Sequence, residues 1–105
     1  MPLTADLSLR KLNVRIAPTI TAYELQKFIE MFIEETFRVK GFIQTAEGLQ
    51  FADCVGNVAK VEPCTLEVPE EKVGWLTVLS GAKMPVRAAV KEACKWYQTH
   101  LLAVE

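Results

Sequence analysis

The chain has 105 residues, of which 50% are hydrophobic and 24% are charged. This length fits one compact domain, and the composition is that of a globular protein rather than of a disordered tail. Lys and Arg (12) nearly balance Asp and Glu (13), and the formal net charge of -1 gives no electrostatic reason to expect nucleic acid or an anionic membrane as a partner.

The lack of a membrane-spanning run or signal peptide in the sequence and the cysteine usage both favour a soluble cytoplasmic chain. No run approaches the roughly 20 apolar residues of a membrane-spanning helix, and no apolar signal-peptide stretch occurs in the first residues, MPLTADLSLRK. The thiols Cys54, Cys64 and Cys94 are odd in number, widely separated and without a Cys-x-x-Cys pair. We therefore expect reduced cysteines rather than a disulfide framework or a zinc knuckle.

The first predicted element is a strand from Leu7 to Ile16. In its second half, apolar residues such as Leu12 and Val14 alternate with polar ones, which is the two-residue period of a strand with one buried face. The leucines at its start fall on the opposite phase, which predicts a bulge near Arg10.

A helix is predicted to begin at Thr21, after Pro18 ends the strand. Thr21 and Glu24 have the spacing of a capping box, in which each side chain accepts a hydrogen bond from the backbone amide of the other residue. The apolar stripe of this helix comprises Leu25, Phe28, Ile29, Phe32 and Ile33. We expect the stripe to pack on a sheet.

A hairpin is predicted next. Residues 37–45 and 49–54 have the composition of two strands, and Ala46-Glu47-Gly48 has that of the tight turn between them.

Further strands are predicted over 58–61 and 75–79. Gly56-Asn57 supplies a turn before the first of these, and Pro63 interrupts it. Residues 75–79 are rich in β-branched and aromatic residues, as pleated and half-buried surfaces require. We expect the strand over 75–79 to be the last one.

A second helix is predicted from Pro85, because a proline lacks the amide proton that would be unpaired at the first helical position. Its apolar stripe comprises Val86, Ala89, Val90, Ala93, Cys94, Tyr97 and Leu101. The element order β-α-β-β-β-β-α leaves no long crossovers for a parallel sheet. We therefore predict an α+β fold with an antiparallel sheet of four to five strands and two helices packed on one face.

The candidate binding residues lie on the strand over 37–45. Arg38, Lys40 and Gln44 share one phase of this strand, so their side chains project from the same face. Two neighbouring cations can hold an acidic partner or a phosphate, whereas the alternative interpretation is a solvated strand that resists edge pairing. Gly41 indicates either a bulge or the close approach of another backbone.

Residues with catalytic or metal-binding potential are few and scattered. The single histidine, His100, is expected to cap the end of the second helix. Nucleophilic catalysis would require it to meet a thiol, and a metal site would require it to converge with Cys54 and Cys64. Phosphate-binding glycine motifs do not occur in the sequence. We predict a noncatalytic chain without a cofactor, with a small metal-binding protein using Cys54, Cys64 and His100 as the alternative.

A resemblance to a known family rests mainly on the segment Phe37-Arg38-Val39-Lys40-Gly41-Phe42-Ile43, which lies between an amphipathic helix and a hairpin. This segment resembles the C-terminal domain of the CobW-type GTPases, which are linked to cobalt and zinc handling. Val55-Gly56, the strand from Trp75 to Leu79 followed by Ser80-Gly81, and the helix from Pro85 are similar to that domain in order and spacing. In that family the GTPase and the metal-binding cysteine motif lie in a separate N-terminal domain.

The resemblance implies that residues 1–105 form a single CobW C-terminal-like domain without the GTPase domain. It implies a regulatory module that binds a protein partner in a cobalamin or metal-homeostasis setting, such as a GTPase or a corrinoid- or metal-handling protein. Arg38, Lys40 and Gln44 would contact that partner. Neither nucleic acid nor a membrane is expected to bind. Dimerisation through an open sheet edge, and whether the module stands alone or belongs to a longer protein, stay open.

Overall fold

The computed structural model describes residues 9–81 and 86–105, which form a sheet covered by helices. The strands and α-helices of the described residues are β1 (Leu9–Ile16), α1 (Ala22–Glu30), β2 (Arg38–Thr45), β3 (Gly48–Val55), β4 (Val61–Pro63), β5 (Trp75–Gly81), α2 (Val86–Trp96) and β6 (Leu101–Val104). Short 3₁₀ turns lie at Ile33–Glu35, Glu70–Lys72 and Gln98–His100. Neither α-helix among these residues is long and apolar enough to cross a membrane.

The strands of the described residues pair antiparallel in one sheet with the order β4-β3-β2-β5-β1-β6. Because β5 lies between β2 and β1, the connection from β4 must pass over β3 and β2. This connection, residues 64–74, is called the crossing segment below. Leu66 and Val68 of the segment line grooves together with Phe42 and Leu49 of β2 and β3. These two strand residues point away from the helices, so the segment runs over the face that the helices do not cover.

One hydrophobic core joins both helices to the same face of the sheet. Leu25, Phe28 and Ile29 of α1 share this cluster with Val86, Val90 and Ala93 of α2 and with alternate residues of the strands. The rings of Phe28 and Tyr97 pack edge to face with their centroids 5.6 Å apart, which links the first helix to the segment after the second. The predicted α+β architecture, with an antiparallel sheet and two helices on one face, is confirmed, but the sheet of the described residues has six strands rather than the predicted four to five.

The predicted start of α1 is also confirmed. The amide of Thr21 donates to Glu24 Oε1 at 3.0 Å, and the amide of Glu24 donates to Thr21 Oγ1 at 3.1 Å. The helix ends at Glu30, earlier than the stripe indicated, and Phe32 and Ile33 lie beyond it but remain buried. The 3₁₀ turn after α1 keeps the chain near the helical path, so these side chains still reach the core.

The end of the chain corrects the sequence prediction. Leu101 was expected on the stripe of the second helix, and the strand over 75–79 was expected to be the last one. Instead α2 ends at Trp96 and Leu101–Val104 forms β6, which pairs with β1. The sixth strand covers amide and carbonyl groups of β1 that would otherwise form an open edge.

Two smaller expectations are wrong as well. The strand predicted over 58–61 is observed at Val61–Pro63, where a proline is tolerated because β4 is an edge strand. The bulge predicted near Arg10 is not found in the described residues, since β1 and β5 pair in regular register from Leu9 onward. The irregularity lies between Arg15 and Ile16, toward β6. The predicted first residues of the strand and of the second helix, Leu7 and Pro85, lie outside the described residues.

Candidate functional site

The outer face of the sheet, defined as the side turned away from α1 and α2, carries all three predicted binding residues. Exposed and buried side chains alternate along β2 because Val39 and Ile43 pack into the core. Arg38, Lys40 and Gln44 therefore point outward, and each of them is exposed.

Arg38 and Lys40 border a groove of about 480 Å³ on this outer face. We call it the cationic groove; its walls include the cations Arg38, Lys40 and Lys72 and the apolar residues Phe42, Trp75 and Leu79. The β2–β5 register places Arg38 opposite Leu79 and Lys40 opposite Thr77. Cationic and apolar side chains thus line the same groove.

Gln44 lies in a different groove, of about 530 Å³, together with Arg15, Leu49 and Val68. The amide nitrogen of Gln44 donates to the carbonyl oxygen of the next residue at 3.3 Å. The structure therefore brings Arg38 and Lys40 together but separates Gln44 from them. The alternating pattern of the strand predicts that all three side chains lie on the same face. It cannot predict that the crossing segment lies over the Gln44 end of that face.

The two cations of the groove differ in their own partners. Arg38 donates to Asp53 Oδ1 from Nε at 3.3 Å and from Nη2 at 3.0 Å. Lys40 lies directly opposite Asp53 in the β2–β3 register, yet its ammonium group has no carboxylate partner among residues 9–81 and 86–105. Its Nζ lies 5.9 Å from the centroid of the Phe51 ring instead. Lys40 is consequently the cation of this pair that is free to bind another anion.

The aromatic rings near the groove are already packed against other side chains. Phe42 stacks on Phe51 with centroids 4.9 Å apart, and the guanidinium carbon of Arg15 lies 5.2 Å from the centroid of the Trp75 ring. Such contacts stabilise the rings in fixed positions. The rings therefore form an apolar floor beside the cations.

Gly41 allows β2 and β5 to approach closely enough to form the floor of the groove. A Cβ atom at this position would clash with the carbonyl oxygen of Trp75 and would lie 3.0 Å from the Cα atom of Leu76. The β2–β3 register is regular along the strand, so close backbone approach, rather than a bulge, is the reason for the glycine.

The alternative metal site is not assembled. Among the described residues, no three side chains of the His, Cys, Asp and Glu types lie close enough to hold a metal ion. Cys54 is buried and its Sγ accepts from the amide of Lys60 at 3.4 Å, whereas Cys64 lies on the crossing segment and His100 contacts the start of α1. The structure therefore does not bring together Cys54, Cys64 and His100, the ligands of the alternative metal site.

His100 takes part in a contact that the sequence analysis missed. Its Nδ1 lies 2.9 Å from Thr19 Oγ1, and its Nε2 lies 3.3 Å from Glu24 Oε2. The predicted role as a cap of α2 is wrong, since α2 ends at Trp96. Thr19 and His100 are 81 residues apart, so no local pattern could have shown this contact.

A hydroxyl, an imidazole and a carboxylate in a row also occur in hydrolases, where amides must in addition stabilise an oxyanion. Here two nearby amides are occupied: that of Thr21 donates to Glu24, and that of Ala22 donates to Glu47 Oε1 at 2.7 Å. The hydrogen bond from the Thr21 backbone lowers the pKa of Glu24; burial opposes this shift, and the Thr21 hydroxyl and His100 add to it. The cluster thus holds the start of β6 against the start of α1.

Comparisons of the chain with protein-family models, with curated proteins and with solved structures find no match. The resemblance to the CobW C-terminal domain accordingly stays a prediction from the segment over 37–43 and the shorter motifs that follow it.

Proposed function

We propose that this chain is a noncatalytic binding module that captures a protein partner on the outer face of its sheet. In this proposal Arg38 and Lys40 lie at the centre of the contact and Gln44 lies at its margin. The cationic groove is the observation that carries the proposal, because it combines unburied cations with an apolar floor on a face without helices. Protein contact surfaces commonly combine an apolar centre with arginine and aromatic residues.

The state of two of the three thiols supports a noncatalytic role. Burial raises the pKa of both Cys54 and Cys94, which keeps them protonated at neutral pH and therefore poorly nucleophilic. The imidazole of His100 is engaged with Thr19 and Glu24 rather than with a thiol. These contacts favour binding over covalent catalysis.

The setting of the partner is proposed from the family resemblance alone. On that basis the partner is a GTPase or a corrinoid- or metal-handling protein of the cytoplasm, and the chain acts as a regulatory module for it.

The test begins with affinity capture by the full chain, followed by purification of the enriched protein and measurement of its Kd. The double substitution Arg38→Ala and Lys40→Ala should abolish measurable binding, because it removes both cations of the groove. Its effect on folding should be small, since the Arg38 and Asp53 side chains are 45% and 33% exposed and surface pairs of this kind contribute about 0–1 kcal/mol.

The matched control is Arg87→Ala with Lys91→Ala, which removes two exposed cations from α2 and leaves the outer face intact. This control should bind the purified partner with the wild-type Kd. Equal binding by wild type and by the groove variant would exclude the cationic groove as the contact surface.

A further inference from the structure

We propose, on the basis of the binding function proposed above, that the cationic groove recognises an extended acidic segment of the partner protein. A carboxylate of that segment pairs with Lys40 Nζ, and a neighbouring apolar side chain of the segment lies on the floor beside Leu79.

Cations predominate on the outward side of three adjacent strands of the sheet. The outward side chains of the three adjacent strands β2, β5 and β1 include the cations Lys11, Arg15, Arg38 and Lys40. Neither Asp nor Glu occurs among the outward residues of the described parts of these strands. This part of the outer face is therefore complementary to negative charge, although the neighbouring strands β3 and β4 carry the outward carboxylates Asp53 and Glu62 and the whole chain has a formal net charge of -1.

Asp53 pairs with Arg38 and not with Lys40. This carboxylate, on the adjacent strand β3, is used by Arg38 and leaves the ammonium group of Lys40 without an acidic partner among the described residues. Glu71 and Lys72 of the crossing segment both border the groove and balance each other in charge. Lys40 is thus the site at which an incoming carboxylate gains a charge-assisted hydrogen bond without displacing one already made.

The shape of the groove favours a peptide. Its volume of about 480 Å³ lies in the range of roughly 300–1,000 Å³ that admits ligand groups. Leu79 and Thr77 lie beside the cations on the adjacent strand, so alternate side chains of an extended segment would meet a cation and an apolar surface in turn.

The aromatic contacts disfavour single-stranded nucleic acid on the same face. Proteins that bind bases on a sheet offer free aromatic rings for stacking. Here Phe42 stacks on Phe51, Lys40 lies over Phe51 and Arg15 lies over Trp75. Bases would have to displace these contacts in order to stack on the rings, whereas a carboxylate binds the ammonium group of Lys40 without stacking.

The experiment uses the full chain and a short fluorescein-labelled peptide in which aspartates alternate with leucine and phenylalanine. Fluorescence anisotropy should show binding that weakens as salt is added, and amide chemical shifts should change at Lys40, Thr77 and Leu79. Lys40→Ala should weaken the binding about tenfold, which corresponds to the loss of one charge-assisted hydrogen bond. Asp53→Asn should strengthen it, because Arg38 then becomes free for the peptide.

A peptide with lysine in place of aspartate should not bind, and Lys91→Ala on α2 should leave the affinity for the acidic peptide unchanged. Weaker binding by Asp53→Asn would contradict the assignment, because the release of Arg38 should raise the affinity for the peptide rather than lower it.

Failure of this inference is distinct from failure of the proposed function. If the acidic peptide does not bind while the purified partner still requires Lys40, the acidic chemistry is wrong and the contact surface stands. If a labelled single-stranded oligonucleotide binds through Lys40 and the acidic peptide does not, the inference is overturned in favour of nucleic acid. If the acidic peptide does not depend on Lys40 and the partner binds equally well to wild type and to the variant with both Arg38→Ala and Lys40→Ala, both proposals are wrong.

Discussion

The substitution Gly41→Ala tests whether the close approach of β2 and β5 is as tight as the structure shows. The added methyl group would meet the carbonyl oxygen of Trp75 and the Cα atom of Leu76. Both are backbone atoms, which cannot rotate away as the end of a flexible side chain can. β5 would have to move from β2, and their hydrogen bonds would lengthen.

The size of the effect follows from opposing contributions. Overpacking costs about 1–3 kcal/mol, and one weakened backbone hydrogen bond costs about 1 kcal/mol. Replacing a strand glycine by alanine otherwise stabilises by about 0.5–1 kcal/mol. The free energy of unfolding should therefore fall by roughly 2 kcal/mol, and the Tm of a domain of this size by roughly 10 °C.

Thermal and urea unfolding followed by circular dichroism would measure this loss. Gly56→Asn is the matched control, because Gly56 has open space around it and a φ of 65° that asparagine tolerates. The control should change the free energy of unfolding by less than about 1 kcal/mol. A Gly41→Ala protein as stable as wild type would refute the close approach and, with it, the described floor of the cationic groove.

Two further predictions concern polar groups on the helix side of the sheet. Glu24→Gln should lower the Tm at neutral pH but not in strong acid. The pKa of Glu24 is lower in the folded protein than its ordinary value of 4.5, so the carboxylate stabilises the fold above pH 4.5 and this contribution disappears as the pH falls through the folded pKa. A Tm difference that persists in strong acid would contradict this. Ser80→Ala should raise the free energy of unfolding by about 1 kcal/mol in urea titrations. The reason is that the buried Ser80 hydroxyl has no hydrogen-bond partner in the part of the chain that the structure describes. A decrease in the free energy of unfolding would show that the hydroxyl is hydrogen-bonded.

Local patterns predicted the elements that are stabilised by neighbours in sequence. The capping box of Thr21 and Glu24 marks the start of α1 because both partners lie within one helical turn. The hairpin of β2 and β3 follows from a short turn between alternating strands, and the outward phase of Arg38 and Lys40 follows from the two-residue period. For these features, the information lies within a few residues.

Tertiary structure decided the features that depend on pairing between distant segments. Leu101 fits a helical stripe by spacing, yet it pairs with Ile16 in the sheet, because the edge of β1 offers hydrogen bonds that another helical turn cannot use. The separation of Gln44 from Lys40 arises from the crossing segment, whose course is set by the insertion of β5 between β2 and β1. Likewise, the observed β2–β3 register places Asp53 directly across from Lys40, but the packed side chains show that Asp53 binds Arg38. The two-residue period of the strands sets which side chains face outward, whereas the strand order and the competition between neighbouring charges set which of them remain free to bind.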